Sequence, residues 1–216
     1  KLVIPPVLVR PGKTFHDHDK HRATPLTKLV IPPVLVRPGK TFHDHDKHGT
    51  EHLTLNGVLA KSSNIGTILA AERIGGQVLY SYLKKFGVGS PTGLQFPGES
   101  QGYVPDPEHW SATSFGTIAF GQGLSMNAVQ AASIYATIAN DGVRVSPTLI
   151  SGYTAADGRL QAAAPAASRR VVSVATARTM RTMLESVVSD EGTAPMAAIG
   201  SAASTCSARL VEWNRV

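Results

Sequence analysis

One cysteine, Cys206, stands in 216 residues, so no internal disulfide can form. A chain nearly free of thiols fits any compartment and leans towards one outside the cytoplasm. Aromatic residues are scarce at 6%, and no basic stripe carries interleaved aromatics, which excludes a nucleic-acid reader. No apolar run approaches the length of a membrane-spanning helix, and no basic start leads through an apolar stretch to a small-residue cleavage site, so these residues include neither a spanning helix nor a signal peptide. Lys1 in place of a methionine leads us to expect a fragment or processed form, with any membrane attachment carried by a segment outside it. With 42% hydrophobic and 17% charged residues, the chain can bury a sizeable core in one or two domains.

The formal charge of +6 is uneven. Residues 1–27 carry +3 and residues 200–216 carry +1, leaving +2 for the 172 residues between them. The basicity therefore lies towards the ends. Part of it comes from a duplication, because Lys1–His21 recurs without change as Lys28–His48, at an offset of 27 residues. Two identical copies do not make a solenoid, which needs about three or more. Only one copy is expected to belong to the fold, giving a duplicated segment over 1–27, a folded unit over 28–199 and a tail over 200–216. Each copy is β-branched and interrupted by proline (Pro5-Pro6, Pro32-Pro33), which suits short edge strands and turns.

Helical spacing begins at Leu55. Leu55, Val58 and Leu59, then Ile65, Ile68, Leu69 and Ile74, predict two short helices joined by a polar elbow at Ser62-Ser63-Asn64 and closed by Gly75-Gly76. A third helix is predicted over Gln77–Phe86, and Gly89–Pro107 is predicted to be a long loop. Ser125 is predicted to cap a helix running to Ala139, after the turn Gly121-Gln122-Gly123. Val143–Tyr153 and Arg170–Val172 read as strand regions, with Gln161–Ser168 a surface segment between them, and Ser173 caps a last helix with Val174, Ala177, Met180, Met183, Leu184 and Val187 on one face. The class is α+β.

The elbow carries the chemistry. A Ser-x-Asn turn offers a hydroxyl that can pass a proton and an amide that can hold a substrate amide, which suits attack on a peptide carbonyl by a serine nucleophile. Taken alone it is weak and reads more readily as a capping turn. The wider run LTLNGVLAKSSNIGTILAAERIG, then LKKFGVGSPTGLQFPGES, then GQGLSMNAVQAASIYATIANDGVRVSPTLI, resembles the transpeptidase domain of class B penicillin-binding proteins in order and spacing, over about Thr24 to Ile199. That resemblance implies a partial serine β-lactamase/transpeptidase-like fold, mainly its helical subdomain with part of the antiparallel sheet. It also implies acyl transfer on the D-Ala-D-Ala ends of peptidoglycan stem peptides, in which Ser62 relays a proton to the leaving amine and Asn64 binds the stem-peptide amide. β-Lactams mimic such substrates, the family works without a cofactor, and its members serve cell-division or elongation complexes on the outer face of the cell membrane. Gly121, Gln122 and Gly123 resemble the family's buried turn at the head of a core helix, a structural element.

Two further family motifs are missing. The Ser-x-x-Lys that bears the acylated serine should precede the elbow. Within the chain that spacing occurs only at Ser81-Tyr82-Leu83-Lys84, after the elbow and in an amphipathic helix, so it is read as a decoy and no nucleophile is assigned. A Lys-Thr-Gly should follow Ile199. Gly200–Val216 resembles nothing, although codons for Ser207–Val211 exist that, read from their third nucleotide, encode Gly-Lys-Thr-Gly, as a frameshift would produce. The expectation is a chain inactive as it stands. The alternative from another class is a degenerate, binding-only product that interacts with cell-wall peptides or a divisome or elongasome partner, and a serine β-lactamase relative is a third reading.

Other candidates are weaker. His16-Asp17-His18-Asp19-Lys20-His21 and its copy His43–His48 have metal-binding residue types but no ligands converging from separate segments, so a solvated loop is expected and no metal site is assigned. Gly12-Lys13-Thr14 and Gly39-Lys40-Thr41 lack the earlier glycine of a phosphate loop. Phe15 and Phe42 after these Lys-Thr pairs stand where a substrate-binding strand needs glycine.

Overall fold

The computed structural model describes residues 24–94, 96–111 and 113–198. The first repeat up to residue 23 and the tail from residue 199 lie outside them, as do the expectations placed there, the frameshift among them.

Proline and alternation shape the start. Strand β1 (Lys28–Ile31) buries Leu29 and Ile31, turns Val30 outward and pairs antiparallel with β4 (Glu51–Thr54), Leu29 facing Leu53. Between them β2 (Leu35–Arg37) and β3 (Lys40–Phe42) form a hairpin whose two-residue turn is Pro38-Gly39, with Gly39 at φ +77°. Proline followed by a residue at positive φ is the signature of a type II turn. Residues 24–27, grouped from the sequence with the duplicated segment, are joined to the fold. The Thr27 and Pro25 carbonyls accept from Leu55 N (3.0 Å) and Asn56 N (3.0 Å), amides of the first helical turn that have no partner within the helix.

Helix α1 (Leu55–Ala60) is capped by the Thr54 hydroxyl, and α2 (Asn64–Ile74) by that of Ser63. Gly75, at φ +79°, separates α2 from α3 (Gly76–Lys85). These helices bury Val58, Leu59, Ile65, Ile68, Leu79, Leu83 and Phe86 in one core, each such side chain contributing about 2 kcal/mol. The Arg37 guanidinium clamps Glu72 with two bonds of 2.7 and 2.8 Å, tying β2 to α2.

The predicted loop is held at several points: its buried neighbour Gln130 donates Nε2 towards the carbonyls of Gly87 (3.2 Å), Ser90 (2.7 Å) and Gln101 (2.7 Å). Helix α4 (Ser114–Ala119) packs Gly116 on the Phe42 ring, where a β-carbon would come within 2.6 Å of that ring. Helix α5 covers Ala128–Ala139 and begins later than predicted. Its cap is Asn127, in a reciprocal capping box with Gln130, while the Ser125 backbone is engaged with Tyr103 in both directions at 2.9 Å. Gly121-Gln122-Gly123 ends α4, its amides returning to Ile118 and Thr117, and is half-buried at its glycines and exposed at Gln122. It is therefore not a buried turn heading α5, although Gly123 lies so close to Thr117 and Ile118 that a side chain would not fit.

Strand β5 (Val143–Val145) pairs with β8 (Ser168–Arg170), two residues ahead of the predicted Arg170–Val172, and β6 (Gly152–Thr154) pairs with β7 (Leu160–Ala162) around Asp157-Gly158. The serine-capped helix α6 (Val174–Glu185) is where the sequence puts it, and Arg181 fastens it to the end of α5 through the Ile138 and Ala139 carbonyls and Asp141. All four β-ladders among the described residues are antiparallel. Among those residues no helix is long and apolar enough to cross a membrane.

Candidate active-site elbow

Helix α1 ends in a full Schellman closure. Ser63 N reaches the Val58 carbonyl (3.0 Å) and Ser62 N the Leu59 carbonyl (3.1 Å), with Lys61 as the C-cap. This pattern puts Ser62 at the position that turns left-handed, and its φ is +53°. Glycine is the usual residue there, because a β-carbon costs about 1–2 kcal/mol in that conformation. Serine nevertheless occupies it. Its side chain is half-buried, and no hydrogen bond of the Ser62 hydroxyl forms among the described residues.

The next two residues are fully used. Ser63 is 3% exposed, and its hydroxyl accepts from Gly66 N (2.8 Å) while donating to Asp44 Oδ2 (2.7 Å). Asn64 donates Nδ2 to the His43 carbonyl (2.8 Å), which fixes the amide plane and leaves Oδ1 without a protein partner among the described residues. Asp44 Oδ1 takes the Ile65 amide (2.9 Å), so one carboxylate braces both sides of the elbow. The brace comes from the His/Asp cluster, in which His43, His45, Asp46 and Lys47 are exposed as expected of a solvated loop. Asp44 and His48 are instead 11% and 14% exposed at their side chains and joined at 3.2 Å.

The elbow is supported from behind as well. Thr193 N donates to the Ala60 carbonyl (3.1 Å), Ser186 Oγ to Asn56 Oδ1 (3.1 Å), and Lys61 pairs with Glu51 at 3.0 Å. Gly66 has no room for a side chain, since a β-carbon would lie 2.6 Å from Val58 Cγ2.

Ser81 and Lys84 are not brought together with these groups. They lie on α3, where Lys84 donates to the Gly89 carbonyl (2.7 Å) beside buried Leu83 and Phe86. The sequence holds a second Ser-x-Asn, Ser125-Met126-Asn127. Its Asn127 side chain is spent on the α5 cap and on the Ser100 carbonyl (2.7 Å), so it offers nothing comparable. Among the described residues no three His, Cys, Asp or Glu side chains gather as metal ligands.

The geometry of the elbow by itself fits a capping turn as well as a reactive site, and comparison with known proteins gives the family. The model of the penicillin-binding protein transpeptidase domain matches residues 19–204, and the chain belongs to that family. The penicillin-binding protein PbpB of Mycolicibacterium smegmatis is 44% identical over 157 residues, 70% of this chain and 24% of the relative. The peptidoglycan D,D-transpeptidase FtsI of Escherichia coli K12 is 35% identical over 147 residues, 68% of this chain and 23% of the relative. Among solved structures, penicillin-binding protein 3 of Mycobacterium tuberculosis complexed with aztreonam aligns with a TM-score of 0.78 at 41% identity, covering 82% of this chain and 41% of that one. The transpeptidase domain of Burkholderia pseudomallei penicillin-binding protein 3 aligns at 0.73 and 32% identity, covering 91% and 54%. The fold is thus that of these transpeptidase domains, in part. This chain spans about a quarter of the length of the curated relatives it matches.

Proposed function

We propose that this chain supplies the Ser-x-Asn wall of a peptidoglycan D,D-transpeptidase site. Acyl transfer from a D-Ala-D-Ala stem peptide needs a group that passes a proton to the departing D-alanine amine and another that holds the peptide backbone. The Ser62 hydroxyl serves as the first, and Asn64 Oδ1 accepts a substrate N–H as the second. The observation that supports this most is Ser62 itself: a side chain kept where the backbone favours glycine, with its hydroxyl unused among the described residues.

The chain alone performs no covalent step in this reading. Its only Ser-x-x-Lys lies on α3 with Lys84 bound elsewhere, and it contains no Lys-Thr-Gly. It contributes binding, and the stem peptides, their β-lactam mimics, cell-division or elongation partners and an extracytoplasmic site of action belong to the complete enzyme. The test is a titration of the isotope-labelled chain with an N-acylated tripeptide ending in D-Ala-D-Ala, followed by amide NMR. Shifts centred on Ser62–Asn64 and lost in Ser62→Ala and Asn64→Ala support the reading. Shifts elsewhere, or none at millimolar peptide, overturn it. Labelling with a fluorescent penicillin should give no band that survives denaturation, and such a band would show a nucleophile in the chain. Rapid hydrolysis of a chromogenic cephalosporin would move the chain to the β-lactamases.

A further inference from the structure

Neither His43 to His48 nor any carboxylate is needed for the chemistry just described, yet this segment is what holds the elbow. Phe42, 4% exposed and edge-on to Phe120 at 6.1 Å, anchors the end of β3. From there the next residue gives its carbonyl to Asn64, and Asp44 gives one oxygen to Ile65 N and the other to Ser63 Oγ. Of the two residues Asp44 reaches, Ser63 lies between the proposed substrate contacts Ser62 and Asn64, and Ile65 follows Asn64. Asp44 Oδ2 has a second donor, His48 Nε2, at 3.2 Å, and the other ring nitrogen, Nδ1, lies 2.6 Å from the Gly49 carbonyl.

Both imidazole nitrogens of His48 therefore face acceptor oxygens. A neutral ring carries one N–H and can satisfy only one of them, whereas the imidazolium satisfies both. The Gly49 carbonyl, and then the Asp44 carboxylate, accordingly raise the His48 pKa above its ordinary value. Glu51 on β4 acts in the same direction and is itself paired with Lys61.

We propose that Asp44 and His48 are positioning residues for the Ser62-Ser63-Asn64 elbow, with the His48 imidazolium holding the Asp44 carboxylate where it fixes Ser63 and the start of α2. This deepens the transpeptidase reading and rests on it for its functional meaning. Neither residue touches substrate; both act through Ser63, Ile65 and, by way of the segment they hold, Asn64. Loss of the His48 proton turns a ring lone pair on an oxygen and slackens the brace.

The test uses the full chain, wild type and with Asp44→Asn, Asp44→Glu and His48→Gln. In the wild type, the Ser63 and Ile65 amide resonances should titrate with the same midpoint as the His48 ring, above that of an exposed histidine, and D-Ala-D-Ala tripeptide affinity should fall as pH rises through it. Asp44→Asn should lower the His48 midpoint and weaken the tripeptide by about tenfold or more, the scale of one lost bond to a charged group. Asp44→Glu should recover part of that loss, and His48→Gln should abolish the pH dependence of affinity. If Asp44→Asn does not fold, His48→Gln decides, because it leaves the Asp44 bonds to Ser63 and Ile65 in place. Unchanged affinity and unchanged pH profile in these variants, with only the melting temperature lowered, would overturn the proposal. So would Ser63 and Ile65 amides that ignore the His48 titration. If the wild type shows no tripeptide shifts, the transpeptidase reading fails, while the amide titrations still decide the brace.

Discussion

Replacing Ser62 by glycine should make this chain more stable and its site useless. Ser62 sits at φ +53° in a closure where its own amide and that of Ser63 already satisfy the end of α1. Removing its β-carbon relieves about 1–2 kcal/mol of left-handed strain. Glycine returns part of that, about 0.4–1 kcal/mol, as extra freedom of the unfolded chain. No hydrogen bond among the described residues is lost, because the hydroxyl makes none. The net is a gain of about 0.5–1 kcal/mol, and Ser62→Ala, which keeps the β-carbon and so the strain, should lie near zero. Urea denaturation of the three proteins reads the difference as a shift in midpoint at constant slope. Tripeptide titration of the same samples reads the function, with shifts at Ser62–Asn64 absent from both variants. A glycine variant less stable than wild type, or no more stable than the alanine variant, would refute the claim that strain is stored at this residue for use.

Four further outcomes follow from the geometry. Gln130→Ala removes an amide that reaches the Gly87 carbonyl and two loop carbonyls and caps Asn127, and should cost about 2–4 kcal/mol, read as faster hydrogen exchange at Tyr103 and Ser125; slow exchange there would show that Gln130 does not hold the loop. Arg144 faces Arg169 across β5 and β8, its buried Nε has no hydrogen-bond partner among the described residues, and burial together with Arg169 lowers its pKa, so Arg144→Met should stabilise by about 1 kcal/mol, whereas a lower denaturation midpoint would contradict this. Gly66→Ala drives a methyl into Val58 and should cost about 1–3 kcal/mol while displacing the Ser63 resonance; an unshifted midpoint would show that the helix gives way freely. His48 has a folded-state pKa above its unfolded one, so its stabilising effect is complete below the unfolded value and fades as pH rises through the folded value; the melting temperature should fall across neutral pH in the wild type and less in His48→Gln.

Much of this architecture could be read directly. The Ser62-Ser63-Asn64 elbow, the break at Gly75-Gly76 and the cap at Ser173 are local patterns, and their backbone closures and caps survive folding because residues a few positions away make them. The start of α5 was missed for a different reason. Ser125 and Asn127 are both good caps, but only Asn127 has a Gln three residues on, and only the fold reveals that the Ser125 backbone is taken by Tyr103. That capping box was visible in the letters Asn-Ala-Val-Gln and could have settled the choice. The shift of β8 reflects pairing: Arg169 opposes Arg144, so the less apolar Ser168–Arg170 is the strand, while Val171 and Val172 turn inward to the core. The Asp44 brace had no local signal at all. It joins residues 19 positions apart through a polar contact, and neither hydrophobic periodicity nor spacing encodes such a pair.

That brace also bears on how motifs are written down. The middle letter of Ser-x-Asn is treated as a wildcard, yet here Ser63 is enclosed with its hydroxyl both accepting and donating, and a purely apolar residue would take one of the donors from the Asp44 carboxylate. A search pattern for this elbow carries more information if it asks for a small hydroxyl at the centre and an acid about 19 residues upstream.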